Sequence, residues 1–125
     1  MTNGTPAGQI ILVVENNALL KMFLANLVEK AGFGVLRASN ADEALLILER
    51  RPDVAMMITN VVMHGAINGA ELAHLVDSRW PSVKIIVVSG QTGLSEQDLP
   101  AKSLLFSKPY HDDELLFEIR ASLAG

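Results

Sequence analysis

The chain has 125 residues, half of them hydrophobic, which suits one buried core and excludes a disordered chain. Its formal charge is −4 and its longest basic run is Arg50-Arg51, so no nucleic-acid footprint is expected. It contains no cysteine, which excludes a disulfide framework, a thiol nucleophile and a cysteine-based zinc site.

Residues 1–8 are small, polar and Gly/Pro-bearing, and are expected to be a flexible N-terminus. They lack the basic and apolar regions of a signal peptide. No apolar run reaches membrane-spanning length. The expectation is therefore one cytoplasmic domain over residues 9–125, with neither nucleic acid nor membrane as a partner.

The first strand is predicted over Ile10–Glu15, where an unbroken β-branched run suits the middle of a parallel sheet. It ends in Glu15-Asn16-Asn17, whose Asx residues can cap a helix. The first helix follows over Ala18–Ala31. Its apolar stripe is Leu20, Phe23, Leu24, Leu27, Val28 and Ala31, and Gly32 and Gly34 end it. A short second strand, Val35–Ala38, leads to Ser39-Asn40. There Glu43 completes a capping-box spacing for a second helix with Ala41, Ala44, Leu45 and Leu48 inside.

The third strand is predicted over Val54–Thr59, and residues 60–67 form a loop. Asn68-Gly69-Ala70-Glu71 opens the third helix, which Pro81 stops. The fourth strand, Val83–Val88, ends at Ser89-Gly90. A short fourth helix is expected near Ser95–Leu99. The fifth strand, Ser103–Ser107, turns at Lys108-Pro109-Tyr110 into a fifth helix over His111–Leu123. Its inner face is Leu115, Leu116, Ile119 and Leu123.

Five strands alternating with five helices predict an α/β, doubly wound, five-stranded parallel sheet of flavodoxin-like order 2-1-3-4-5. In that order, Glu15-Asn16, Thr59-Asn60, Ser89 and Lys108 all lie at the carboxyl ends of strands, where such sheets build their sites. Asn60 ends the central buried strand and stands at the middle of this group. His64, His74 and His111 are too dispersed for a metal site, and Trp80 before Pro81 reads as a packing or interface aromatic.

From Ile10 to Leu123 the chain resembles the receiver domains of two-component response regulators. Ile11-Leu12-Val13-Val14-Glu15 is similar to their first strand and the start of an acidic pair. Thr59-Asn60-Val61-Val62-Met63 is similar to the phosphoacceptor segment, and Asn68-Gly69-Ala70-Glu71-Leu72 to the start of the third helix. Val87-Val88-Ser89-Gly90 resembles the hydroxyl-bearing strand, and Ser107-Lys108-Pro109-Tyr110 the Lys-Pro-aromatic corner.

The resemblance implies roles for these positions. Asn60 stands where an Asp accepts a phosphoryl group from a histidine kinase. Glu15 and Asn16 stand in the acidic pocket that holds Mg²⁺, with the Val62 carbonyl as a backbone ligand. Ser89 is the switch hydroxyl and Lys108 the phosphate-contacting lysine. Leu105, Phe106 and Tyr110 belong to an interaction face made by the fourth helix, fifth strand and fifth helix, where a homodimer or another signalling protein could dock.

Two of these positions are amides where the family has carboxylates. An amide cannot form an acyl phosphate, and hard Mg²⁺ prefers charged oxygen ligands. The expectation is a non-enzymatic pseudo-receiver with weak or absent Mg²⁺ that acts by protein–protein interaction. Lys108 is expected to hydrogen-bond the Asn60 side chain or pair with Glu15. The alternative is a phosphorylatable regulator in which Asn60 is deamidated or engineered from Asp. A flavin or nucleotide carrier on this topology would need a phosphate loop after the first strand, which Glu15-Asn16-Asn17-Ala18 does not supply.

Overall fold

The computed structural model describes residues 9–61, 67–90 and 96–124. Five strands, β1 (Ile10–Val14), β2 (Gly34–Ala38), β3 (Val54–Asn60), β4 (Lys84–Ser89) and β5 (Leu104–Ser107), form one parallel sheet in the order β2-β1-β3-β4-β5. Among the described residues, four α-helices connect and cover them: α1 (Ala18–Lys30), α2 (Ala41–Arg50), α3 (Gly69–Arg79) and α4 (Asp112–Ala124). The expected order of strands is therefore met. The expected number of helices is not.

The missing helix is the fourth one predicted. Where it was expected, Glu96–Asp98 forms a single 3-10 turn, and residues 91–95 lie outside the described ones. Among the described residues of this stretch, Gln97 and Asp98 offer no apolar side chain to anchor a helical face, and Pro100 follows closely. The N-terminal segment expected to be loose also lies outside the described residues.

Each unbroken apolar strand feeds two cores, because successive side chains point to opposite faces of the sheet. Leu12, Val14, Met57, Ile85 and Val87 join α2 and α3 on one face. Ile11, Met56, Ile58, Ile86 and Val88 join α1 and α4 on the other. Burying each such side chain is worth about 1.5–3 kcal/mol, so the central strands carry much of the stability.

Asparagines start three of the helices. The side chains of Asn17, Asn40 and Asn68 accept backbone N–H groups from Leu20, Glu43 and Glu71. At α3 the capping box is complete, with Glu71 accepting the Asn68 N–H. At α2 the reciprocal bond is displaced by one residue, since Glu43 accepts the N–H of Ser39. After α1, Gly32 takes a φ of 104°, a left-handed conformation that favours glycine at a helix end.

The stripe predicted for α1 holds only along its second half. Val28 is fully buried, with Leu24, Leu27 and Ala31 packed beside it. Leu20 and Phe23 remain 44% and 60% exposed. They lie where the helix reaches the carboxyl ends of the strands, so their side chains face a cleft instead of the sheet.

Candidate functional site

The carboxyl ends of β1, β3 and β4, with the chain after β5, surround a small cavity of about 50 Å³. Its walls include Glu15, Thr59, Asn60, Lys108 and Tyr110, and Leu20, Phe23 and Leu24 of α1 close one side. Three of the residues singled out from sequence, Glu15, Asn60 and Lys108, therefore meet in one place. Asn16 is half-buried and Ser89 is buried, and neither is among the residues that line the cavity. Val62 lies outside the described residues, as does His64.

Glu15 is 5% exposed, a costly position for a carboxylate without partners. Its Oε2 accepts the N–H of Asn17 at 2.9 Å, and its own N–H donates to the Ala38 carbonyl. The carboxylate thus also steadies the first residues of α1. Asn60 ends β3 and turns its side chain back on the chain, where Oδ1 accepts the N–H of Val61 at 3.0 Å. Thr59, fully buried, donates its hydroxyl to the Asn60 carbonyl at 3.0 Å.

That carbonyl also fixes the start of α3. A Cβ at Gly69 would lie 2.0 Å from the Asn60 oxygen, so no side chain fits there. The Gly69 N–H meanwhile donates to the Val61 carbonyl at 2.8 Å. The end of β3 and the first turn of α3 are locked together at the point where the site sits.

Lys108 is exposed and is brought to the cleft by the backbone. Its N–H donates to the Ser89 carbonyl at 2.8 Å, extending the β4–β5 register by one residue beyond Ser89 and Ser107. The Lys108–Pro109 peptide bond is cis. Among the described residues the salt bridges are Arg51–Asp53, Arg79–Glu49 and Lys102–Asp77, so the expected Lys108–Glu15 pair does not form. The buried glutamate has satisfied itself on a backbone N–H instead.

Tyr110 forms the rim. Its ring meets Phe106 edge-on at 5.8 Å between centroids. Burial first, and then the carboxylates of Asp112 and Glu15, push its phenol above the ordinary value. Leu105 does not share a side with these two aromatics. It packs into the core beneath α2 and α3, while Phe106 and Tyr110 pack on the α1 and α4 face. The interaction face expected to join Leu105, Phe106 and Tyr110 is therefore split by the alternation of β5.

From sequence, Thr59 is only part of the strand end, without a role of its own, and Leu20 and Phe23 are only part of the inner stripe of α1. Thr59 carried a usable signal, as a hydroxyl inside an apolar strand must find a partner. Leu20 and Phe23 did not, since nothing in their spacing says where the helix outruns the sheet. His74 and His111 are both exposed, and Nε2 of His74 lies 2.9 Å from the Asp98 carbonyl. Trp80 packs against the α2 and α3 core with the Arg79 guanidinium 4.7 Å from its ring.

A divalent cation at these strand ends would meet one carboxylate, Glu15, and the amides of Asn16 and Asn60. Hard oxygen-seeking cations give up water reluctantly and favour charged ligands, so this donor set fits Mg²⁺ poorly. The carboxylate oxygen and the amide oxygen named above are also already accepting backbone N–H groups.

Comparison with known proteins agrees with this geometry. The sequence pattern of the response regulator receiver domain matches residues 11–120. The response regulator receiver protein CpdR of Brucella abortus is 30% identical over 116 residues, covering 90% of this chain and 95% of that protein. The hydrogenase transcriptional regulatory protein HoxA of Cupriavidus necator is 31% identical, but the chain spans 24% of its length. Among solved structures, a response regulator receiver protein from Sinorhizobium medicae superposes with a TM-score of 0.86 at 20% identity, covering 94% of this chain and 95% of that one. The response regulator TrrA of Thermotoga maritima, solved in complex with Mg²⁺ and BeF, has a TM-score of 0.79 at 23% identity, with 91% and 98% covered. In fold, in the order of its motifs and in the match along most of its length, the chain belongs to the response regulator receiver family of two-component signalling.

Proposed function

We propose that this receiver does not accept phosphate at Asn60 and acts in two-component signalling as a protein-binding pseudo-receiver. The observation that carries the reading is the pair of amides, Asn16 and Asn60, at positions where the family uses carboxylates. Phosphoryl transfer in such a site needs an in-line nucleophile together with a metal and a cation to offset developing charge. An amide oxygen is a weak nucleophile and yields no acyl phosphate. With Asn16 also neutral, Glu15 faces Lys108 with a formal charge near zero, and Mg²⁺ binding is weak or absent. Glu15, Ser89 and Lys108 keep residue types that the family uses at these positions.

The reading makes the domain a module that holds one state and is recognised by others. Its partner is a histidine kinase or another signalling protein, or a second copy. Two solved neighbours give the kind of setting: one is a CheX–CheY complex from Borrelia burgdorferi, and one is the receiver domain of the hybrid histidine kinase CckA. A cytoplasmic location fits this role, and among the described residues no helix is long and apolar enough to cross a membrane.

The test is incubation with a small-molecule phosphodonor and Mg²⁺, followed by intact mass. The natural chain is expected to gain nothing, and the Asn16→Asp, Asn60→Asp double variant to gain one acid-labile phosphoryl group. Stoichiometric phosphorylation of the natural chain would overturn the reading. The same mass measurement on purified protein tests for deamidation of Asn60, which would appear as a small mass gain before any phosphodonor is added.

A further inference from the structure

The outer side of α4 is apolar where a surface helix should be polar. Phe117 is 69% exposed, the highest value among the exposed large hydrophobic residues. It faces away from Leu115 and Ile119, which are fully buried against the sheet. Two adjoining open cavities, of about 430 and 580 Å³, share Phe117 and Asp113. The second is lined by Asp113, Leu116, Phe117, Arg120, Ala121 and Ala124. These positions recur at three- and four-residue steps, so the groove is one stripe along the whole helix. At about 1.5 Å per residue it is ~16 Å long, a length that fits about three turns of a second helix. The small side chains of Ala121 and Ala124 leave room for close approach at one end.

The charge around the stripe is mainly negative. The first cavity is lined by two aromatic rings, Phe106 and Phe117, and three carboxylates, Asp113, Glu114 and Glu118. Arg120 is the cation of the stripe, and its guanidinium is turned toward the Ala31 carbonyl at the end of α1. It offsets the carboxylates only in part, since the two cavities carry three of them against this one guanidinium. Glu114 accepts the His111 N–H, while Asp113 and Glu118 take part in none of the salt bridges among the described residues. A second copy on this groove would bring six carboxylates against two guanidiniums already engaged, on top of a net charge of −4 per chain.

We propose that the outer groove of α4 is the docking site for a basic amphipathic helix of a partner protein. Its apolar residues would cover Phe117 and Leu116, and its lysines or arginines would meet Asp113 and Glu118. The two aromatic rings suit a cation as well as an aliphatic side chain. The proposal deepens the protein-binding reading above by naming the partner's chemistry. It does not depend on whether Asn60 accepts phosphate.

The probe is a synthetic Leu/Lys amphipathic peptide of about 18 residues, which outspans the stripe. It is titrated into isotope-labelled protein by NMR and by calorimetry. A peptide of the same pattern with glutamate for lysine, and a scrambled Leu/Lys peptide, serve as controls. The expected result is salt-dependent binding of the first peptide alone, with shifts centred on Leu116, Phe117, Arg120 and Ala121. Phe117→Ala should weaken it by about tenfold or more. Asp113→Lys with Glu118→Lys should do the same, while Asp42→Lys on α2 should change it little. Phe117 is exposed, and thermal melts that match the natural chain establish that the variants fold.

Shifts centred on Leu19–Phe23 of α1, equal binding of the glutamate peptide, or indifference to Phe117→Ala would each overturn the proposal. So would concentration-dependent self-association with shifts at Phe117 when no peptide is present. Phosphorylation of the natural chain with peptide binding intact would remove only its inertness to phosphate. Loss of peptide binding in an inert chain would remove only this site.

Discussion

The strand-end cleft and the outer face of α4 are near neighbours and opposites. In the cleft, Glu15 and Thr59 are buried, Asn60 is half-buried, and polar side chains are tied to the backbone, as Glu15 is to Asn17 and Asn60 to Val61. On α4, a phenyl ring stands in solvent beside three carboxylates and one guanidinium. The cleft is built like the interior of a protein, where order is maintained by mutual satisfaction of donors and acceptors. The helix face is built like an interface that has not yet met its partner. A receiver that works by exchanging phosphate would be expected to concentrate unspent charge in the cleft. Here the cleft keeps Lys108 outside the salt bridges of the described residues, and the larger group of such charges, Asp113, Glu114 and Glu118, is on the outside.

The most severe way to break this contrast is at Gly69. Gly69→Ala would drive a Cβ to within 2.0 Å of the Asn60 carbonyl oxygen. Either α3 must shift or β3 must bend, and a loss on the order of 4 kcal/mol or more is expected. Chemical denaturation measures it. A loss below about 1 kcal/mol would show that the end of β3 yields easily, and that the cleft is not the rigid region described above.

The next test compares two positions on α4, two residues apart. Ile119→Ala removes a fully buried side chain from the α1 and α4 core and should cost about 2–5 kcal/mol. Phe117→Ala removes a larger ring and should change stability by no more than about 0.5 kcal/mol, because the ring is mostly in water. If Phe117→Ala costs as much as Ile119→Ala, the ring is part of the core and the outer face is not an open groove.

Much of this was legible in the sequence, for reasons that differ by residue. The strands β1, β3 and β4 are unbroken β-branched or aliphatic runs, and only a sheet covered on both faces buries such runs. Asn17, Asn40 and Asn68 declared the helix starts because their side chains can satisfy the first N–H groups of a helix. Glu15, Asn60 and Lys108 were placed correctly because strand ends converge once the strand order is known. The remainder depended on lengths and tilts that residue types do not encode. Leu20 and Phe23 continue the inner stripe of α1, and only the length of β1 decides that they overhang the cleft. Leu105 and Phe106, by contrast, fall on opposite faces because successive strand residues alternate, which their adjacency in the sequence already implied. Phe117 reads as one more apolar residue beside Leu115, Leu116 and Ile119 until the helix is docked.

Tyr110 gives the finest test, because it belongs to both regions. It lines the cleft and stacks edge-on against Phe106, which lines the outer groove. Its phenol is raised above 10, by burial first, then by Asp112, then by Glu15. Raising an acid's folded value favours the neutral form in the native state. The resulting stability is fully present below pH about 10, the unfolded value, and is lost as pH rises through the higher folded value. Tyr110 is the chain's single tyrosine, so phenolate absorbance reports it alone. The native chain should titrate at higher pH than the denatured chain, and Tyr110→Phe should remove this part of the alkaline decline. Phe106→Ala should lower the native value most, by admitting water, followed by Asp112→Asn and then Glu15→Gln. A larger shift from Glu15→Gln than from Phe106→Ala would mean that charge in the cleft, not shared burial, governs the ring. The two regions would then be joined by electrostatics and not by packing.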